Sequence, residues 1–163
     1  MLEVTIEGLA LDMTTNSPVV ILAPTGLNKV LPIWIGHAEA WGIAMQLSGV
    51  KSKRPLTYDL LEAVISTLEA KVEKVEITEL REQTFYACLH LSSNGKKYEI
   101  DARPSDSIAI ALKTGATIYV NEELFHLKPD DRSPDMPPMS NDPESLRERL
   151  KRINPEDFGK YSL

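Results

Sequence analysis

The chain is poor in the residues that staple small proteins together: its 163 residues include one cysteine, Cys88, and three histidines, His37, His90 and His126. One thiol excludes an internal disulfide framework, and scattered imidazoles beside it cannot supply the ligand spacing of a zinc site. That usage predicts a reducing, cytoplasmic setting. No apolar run approaches the roughly 20 residues that a membrane-spanning helix needs. The first residues, Met1 to Glu7, alternate apolar and polar side chains and lack the basic-then-apolar order of a leader, so a soluble chain with no membrane partner is expected. Cationic side chains are also in deficit, with 18 Lys+Arg against 24 Asp+Glu and a net charge of −6. Adhesion to phosphate backbones through bulk charge is thereby excluded, and nucleic-acid binding would need a local basic patch or a cation. No Gly-x-Ser-x-Gly, P-loop, dinucleotide fingerprint or His-Glu-x-x-His is present, which removes several large enzyme classes and leaves no organic cofactor to expect.

What the chain does have is 42% apolar residues, enough for one ordinary core. In residues 2–12, Val4 and Ile6 carry one alternating face and Leu9 and Leu11 the other, with Gly8 at the change of phase. A one-residue slip at glycine predicts a bent strand with a β-bulge. Two β-branched runs, Val19–Leu22 and Val30–Ile35, flank a Pro24–Asn28 turn and predict a hairpin whose second strand, holding Pro32, lies at an edge or bulge. Helical spacing over 38–48 ends at Gly49. Leu60, Leu61, Val64, Ile65 and Leu68 mark a second, amphipathic helix with Thr57 as its cap, and Pro104 and Gly115 bracket a third that is apolar nearly all round.

Comparing the chain with itself at an offset of 67 aligns Ser17 with Thr84, Leu22 with Leu89, Lys29 with Lys96, Glu39 with Asp106 and Ile43 with Ile110. Two common hairpin–helix units could match by chance, but continuous register through both turns favours an internal duplication. The expected fold is therefore α+β: duplicated hairpin–helix units forming a mostly antiparallel sheet with helices packed on one face. Residues 1–127 form the domain in this reading. A linker rich in Pro and Asp follows over 128–142, and a short helical tail over 143–163 carries Leu146, Leu150 and Ile153 as its apolar stripe.

Chemistry concentrates at Asp101-Ala102-Arg103-Pro104-Ser105-Asp106-Ser107, where a strand ends and a helix begins. Asp101 and Asp106 are a candidate oxygen site for Mg²⁺ or Mn²⁺, Arg103 can clamp phosphate, and Ser105 stands beside the amides of the helix start. The same residue types also serve as caps, dipole partners and local ion pairs. Glu39 is the equivalent carboxylate of the first half, near His37, a candidate base. Arg54 belongs to the basic stretch Lys51–Arg54, and Asn16 sits among turn residues that a strand connection explains equally well.

Four words, Leu11–Val20, Leu31–Gly36, Arg54–Leu61 and Asp101–Ala109, resemble the bifunctional nuclease family in order and spacing, over about residues 1–127. The resemblance implies a duplicated α+β domain with nuclease activity on RNA and DNA. On it, Asp101, Asp106 and Glu39 become candidate base or metal carboxylates, Arg54 and Arg103 phosphate clamps, Asp59 a supporting carboxylate, and Ser105 and Asn16 substrate contacts. In the family's Arg-Pro-x-Thr-His-Asp-Leu this chain has Tyr58 in place of the histidine. Two functions follow: a divalent-cation-assisted nuclease, or a non-catalytic ligand-binding or regulatory module. A homo-oligomer is expected with either.

Overall fold

A computed structural model describes residues 1–127, 148 and 150–155. In chain order its elements are β1 (Leu2–Asp12), β2 (Ser17–Pro24), β3 (Leu31–Trp34), α1 (His37–Ser48), α2 (Thr57–Thr67), β4 (Ala70–Arg81), β5 (Thr84–Ser93), β6 (Lys96–Ala102), α3 (Pro104–Thr114), β7 (Thr117–Val120), a 3-10 turn Glu122–His126 and β8 (Leu150–Ile153). The strands form one sheet of order β3-β2-β1-β7-β4-β5-β6, with β8 added beside β1. Every pairing is antiparallel except that of β4 with β7.

Local signals account for most element ends. The register of β1 against β2 shifts between Ile6 and Gly8, where the phase of the apolar pattern changes. Gly49 and Gly115 close α1 and α3 in the left-handed conformation, φ 69° and 72°, which a side chain would strain. Pro104 begins α3 with Arg103 as its cap. Helix α2 starts one residue earlier than expected: Leu56 and not Thr57 holds the cap position, and its N–H donates to Asp59 Oδ2 at 2.9 Å.

The main core lies between the helices and one sheet face, and takes in Leu9, Leu22, Ile43, Val75, Ile77, Ile108 and Val120. A smaller cluster of Ala10, Val19, Ile21, Val30 and Leu150 fills the opposite face of the first half. Asp12 is fully buried at the end of β1, where it accepts from the Trp34 indole N–H at 2.9 Å and the Thr14 amide at 2.9 Å.

Two expectations change. Residues 128–142 lie outside the described residues, as does most of the tail, but Leu150–Ile153 are strand and not helix. A spacing of three puts Leu150 and Ile153 on one side of a helix but on opposite faces of a strand. Here it feeds two cores, Leu150 entering the smaller cluster and Ile153 the main one. Helix α2 is the second surprise, since it buries none of its residues fully and leaves Leu60, Leu61, Val64 and Leu68 exposed.

Asp12→Ala removes the carboxylate that satisfies a partly buried indole and a turn amide. The expected loss is about 2–4 kcal/mol of unfolding free energy, read from the urea midpoint at unchanged m-value.

Candidate functional site

The first turns of α1, α2 and α3 meet at one place. Arg103, the cap of α3, donates from Nε to Asp106 Oδ2 at 2.8 Å and pairs through Nη1 with Glu39 Oε1 of α1 at 2.9 Å. Tyr58, in the first turn of α2, donates its hydroxyl to Asp106 Oδ1 at 2.8 Å. Each carboxylate is the third residue of its helix, where helix amides favour negative charge.

Two glycines make room for this junction. A Cβ on Gly36 would lie 2.2 Å from Glu39 Oε2, and one on Gly42 would lie 2.4 Å from the Tyr58 ring. Partial burial, and then the Asp106 carboxylate, raise the Tyr58 phenol well above its ordinary pKa, so it stays protonated and acts as a donor. The Arg103 guanidinium is held still more firmly in its charged form by Asp106 and Glu39. Its side chain remains two-thirds exposed while two carboxylates hold Nε and Nη1.

The other residues singled out in the sequence are spread more widely. Asp101 pairs with Cys88 in the β5–β6 ladder, and strand alternation turns both away from the core-facing Leu89 and Ala87. It therefore points to the sheet face opposite α3 and does not join Asp106. Among the described residues no three His, Cys, Asp or Glu side chains come together as a metal site. Of the candidate metal carboxylates, the structure brings together Glu39 and Asp106, both on Arg103.

Asp59 stands apart from them, bound to Lys113 Nζ at 2.6 Å. That pairing and the Leu56 amide hold its carboxyl below the usual carboxylate range. Ser105 is buried in the α3 start, and Arg54 is exposed in the loop between α1 and α2. Asn16 occupies the β1–β2 turn at φ 55°, a conformation asparagine tolerates. Burial raises the Cys88 thiol, which disfavours it as a nucleophile. Tyr58 is the participant that residue-by-residue reasoning missed. The signal for it was its place in the Arg54–Leu61 word, where a ring carrying a polar atom recurs.

Comparison with known proteins now bears on these residues, because a model of the bifunctional nuclease domain matches residues 19–129. The chain belongs to the bifunctional nuclease domain family. An uncharacterized protein of Mycobacterium tuberculosis is 39% identical over 96% of this chain and 97% of its own length. Bifunctional nuclease 2 of Arabidopsis thaliana is 28% identical over 68% of this chain, and bifunctional nuclease 1 of Oryza sativa subsp. indica 26% over 71%. The matched domain spans only 35% and 36% of those two plant proteins. Glu39, Tyr58, Arg103 and Asp106 all fall inside the stretch matched by the family model.

Two outcomes test the site as built. Gly42→Ala forces the Tyr58 ring to move and should cost about 1–3 kcal/mol of stability, measured by thermal unfolding. Asp59 has a lowered pKa in the folded state, so its stabilisation is present above the unfolded value of about 4 and is lost as pH falls. Asp59→Asn should therefore be less stable than the parent at neutral pH, with the difference closing in acid, as read from unfolding free energy against pH.

Proposed function

We propose that this protein is a nuclease that hydrolyses phosphodiester bonds of RNA and DNA, and that it works in the cytoplasm as a homo-oligomer. The observation that carries the reading is the Arg103 guanidinium bridging Glu39 and Asp106 at three converging helix starts, inside a bifunctional nuclease domain. Developing negative charge on a phosphate is stabilised by a positioned guanidinium and by helix amides, with no reorganisation at the moment of reaction. Arg103 meets the phosphate through the exposed part of its guanidinium. Asp106, held on one oxygen by the Tyr58 hydroxyl, orients the attacking water with Glu39 and accepts its proton. Tyr58, protonated at neutral pH, positions Asp106 and does not replace an imidazole base. Glu39 and Asp106 would also hold Mg²⁺ or Mn²⁺, which supplies charge neutralisation and a more acidic water.

Beside the junction, Trp41 and Tyr58 line a groove of about 220 Å³. An exposed indole there offers a stacking surface for an unpaired base, which supports single-stranded substrates. A second reading, a ligand-binding or regulatory module without turnover, is favoured by one observation: both carboxylates are already engaged by Arg103.

Labelled single-stranded RNA, single-stranded DNA and duplex DNA, incubated with Mg²⁺, Mn²⁺ or EDTA, separate the two. Wild type should cleave with added cation and not in EDTA, and Asp106→Asn or Arg103→Ala should lose about 10²–10³ in kcat. Absence of cleavage by wild type under every condition selects the binding module.

A further inference from the structure

The two edges of the sheet are built differently. Edge strand β3 is four residues long and contains Pro32, a short and proline-marked edge of the kind that resists further pairing. Edge strand β6 is seven residues long, carries no proline and pairs with β5 over its whole length without a register shift. Among the described residues no strand pairs with its outer side. Tyr98 and Ile100 stay 47% and 44% exposed although their neighbours across the ladder, Leu91 and Leu89, pack into the core. On that same side of the sheet α2 leaves Leu60, Leu61, Val64 and Leu68 exposed, and Ser93 Oγ donates to the Leu68 carbonyl at 3.5 Å, tying the end of α2 to the end of β5. A seven-residue edge with neither proline nor register shift, beside exposed leucines, is a pairing surface even though Lys96 and Lys97 stand at its start.

The order of residues in β6 indicates what pairs there. Folded back on itself about Glu99, the strand sets Lys97 against Asp101 twice and Tyr98 against Ile100 twice. Opposite charges and aromatic–aliphatic neighbours are the favourable cross-strand pairs, and an even register keeps the core-facing side chains of both copies on one face. The same register would set the two Glu99 carboxylates opposite each other at the axis, a like-charge pair beside which each chain has its own His90 Nδ1 at 3.7 Å from Glu99. We propose that two copies of this chain associate through antiparallel pairing of β6 with β6, centred on Glu99, which joins the two sheets into one and covers the exposed face of α2. Such an interface is isologous and closes as a twofold dimer.

Light scattering on the full chain, with charge-reversal variants, tests both the surface and its register. Wild type should run at twice the monomer mass of 18.2 kDa. Lys97→Glu alone, and Asp101→Lys alone, each place like charges opposite at two symmetric points and should weaken association about tenfold. The double variant restores opposite charges and should recover the dimer. Both changes are on exposed side chains, and far-UV circular dichroism verifies that the fold survives them in all three variants. A wild type of 18.2 kDa at all concentrations overturns the proposal, as does a dimer indifferent to both single variants. A double variant that stays monomeric overturns the Glu99-centred register.

Discussion

The geometry of the candidate site depends on one cation shared by two anions. Arg103 caps α3, yet its guanidinium is bonded to a carboxylate of its own helix and to another on α1. Without it, Glu39 and Asp106 would face each other at converging helix starts with their repulsion uncompensated. With it, one of the two negative charges is compensated, and the guanidinium remains partly exposed. The glycine at 36, 67 positions before Arg103, completes the asymmetry: one half contributes the guanidinium and the other contributes empty space for the carboxylate. Two equivalent helix starts thus become one site with a single arginine.

Much of the fold was legible because its causes are local. Gly8 shifts phase in β1, Gly49 and Gly115 end helices, and Pro104 begins one, each through backbone preferences that need no knowledge of the rest of the chain. At the offset of 67, Ser17 and Thr84 both begin strands and His37 and Pro104 both begin helices, whereas Leu31 and Lys96 begin strands 65 residues apart. The misread segments are those where one spacing serves two structures. Leu150 and Ile153 fit a helix stripe or a strand that faces both ways, and only a partner, here the free flank of β1 beyond the bulge, decides between them.

The site was legible in part for the same reason. Glu39 and Asp106 align at the offset and come together on Arg103, whereas Asp101, five residues from Asp106, is sent to the opposite face by the alternation of β6. Proximity in sequence misleads where a strand turns into a helix, because the face a side chain takes is fixed before the turn. Tyr58 reaches the cluster from 48 residues away, a contact that no periodicity encodes. Likewise, the apolar stripe of α2 was plain in the sequence, but its exposure was not, since a hydrophobic face has the same pattern whether its partner is the same chain or another.

The centre of the sheet carries a consequence for how the molecule is made. Strand β7 lies between β1 and β4 and joins the two halves, yet it is contributed by residues 117–120, with Val120 opposite Leu2. During synthesis the first half therefore emerges with the inner flank of β1 unsatisfied, and the sheet cannot close until nearly all of the domain has left the ribosome. Pairing of such high contact order makes folding slow and late. It also leaves the nascent chain in need of protection against aggregation.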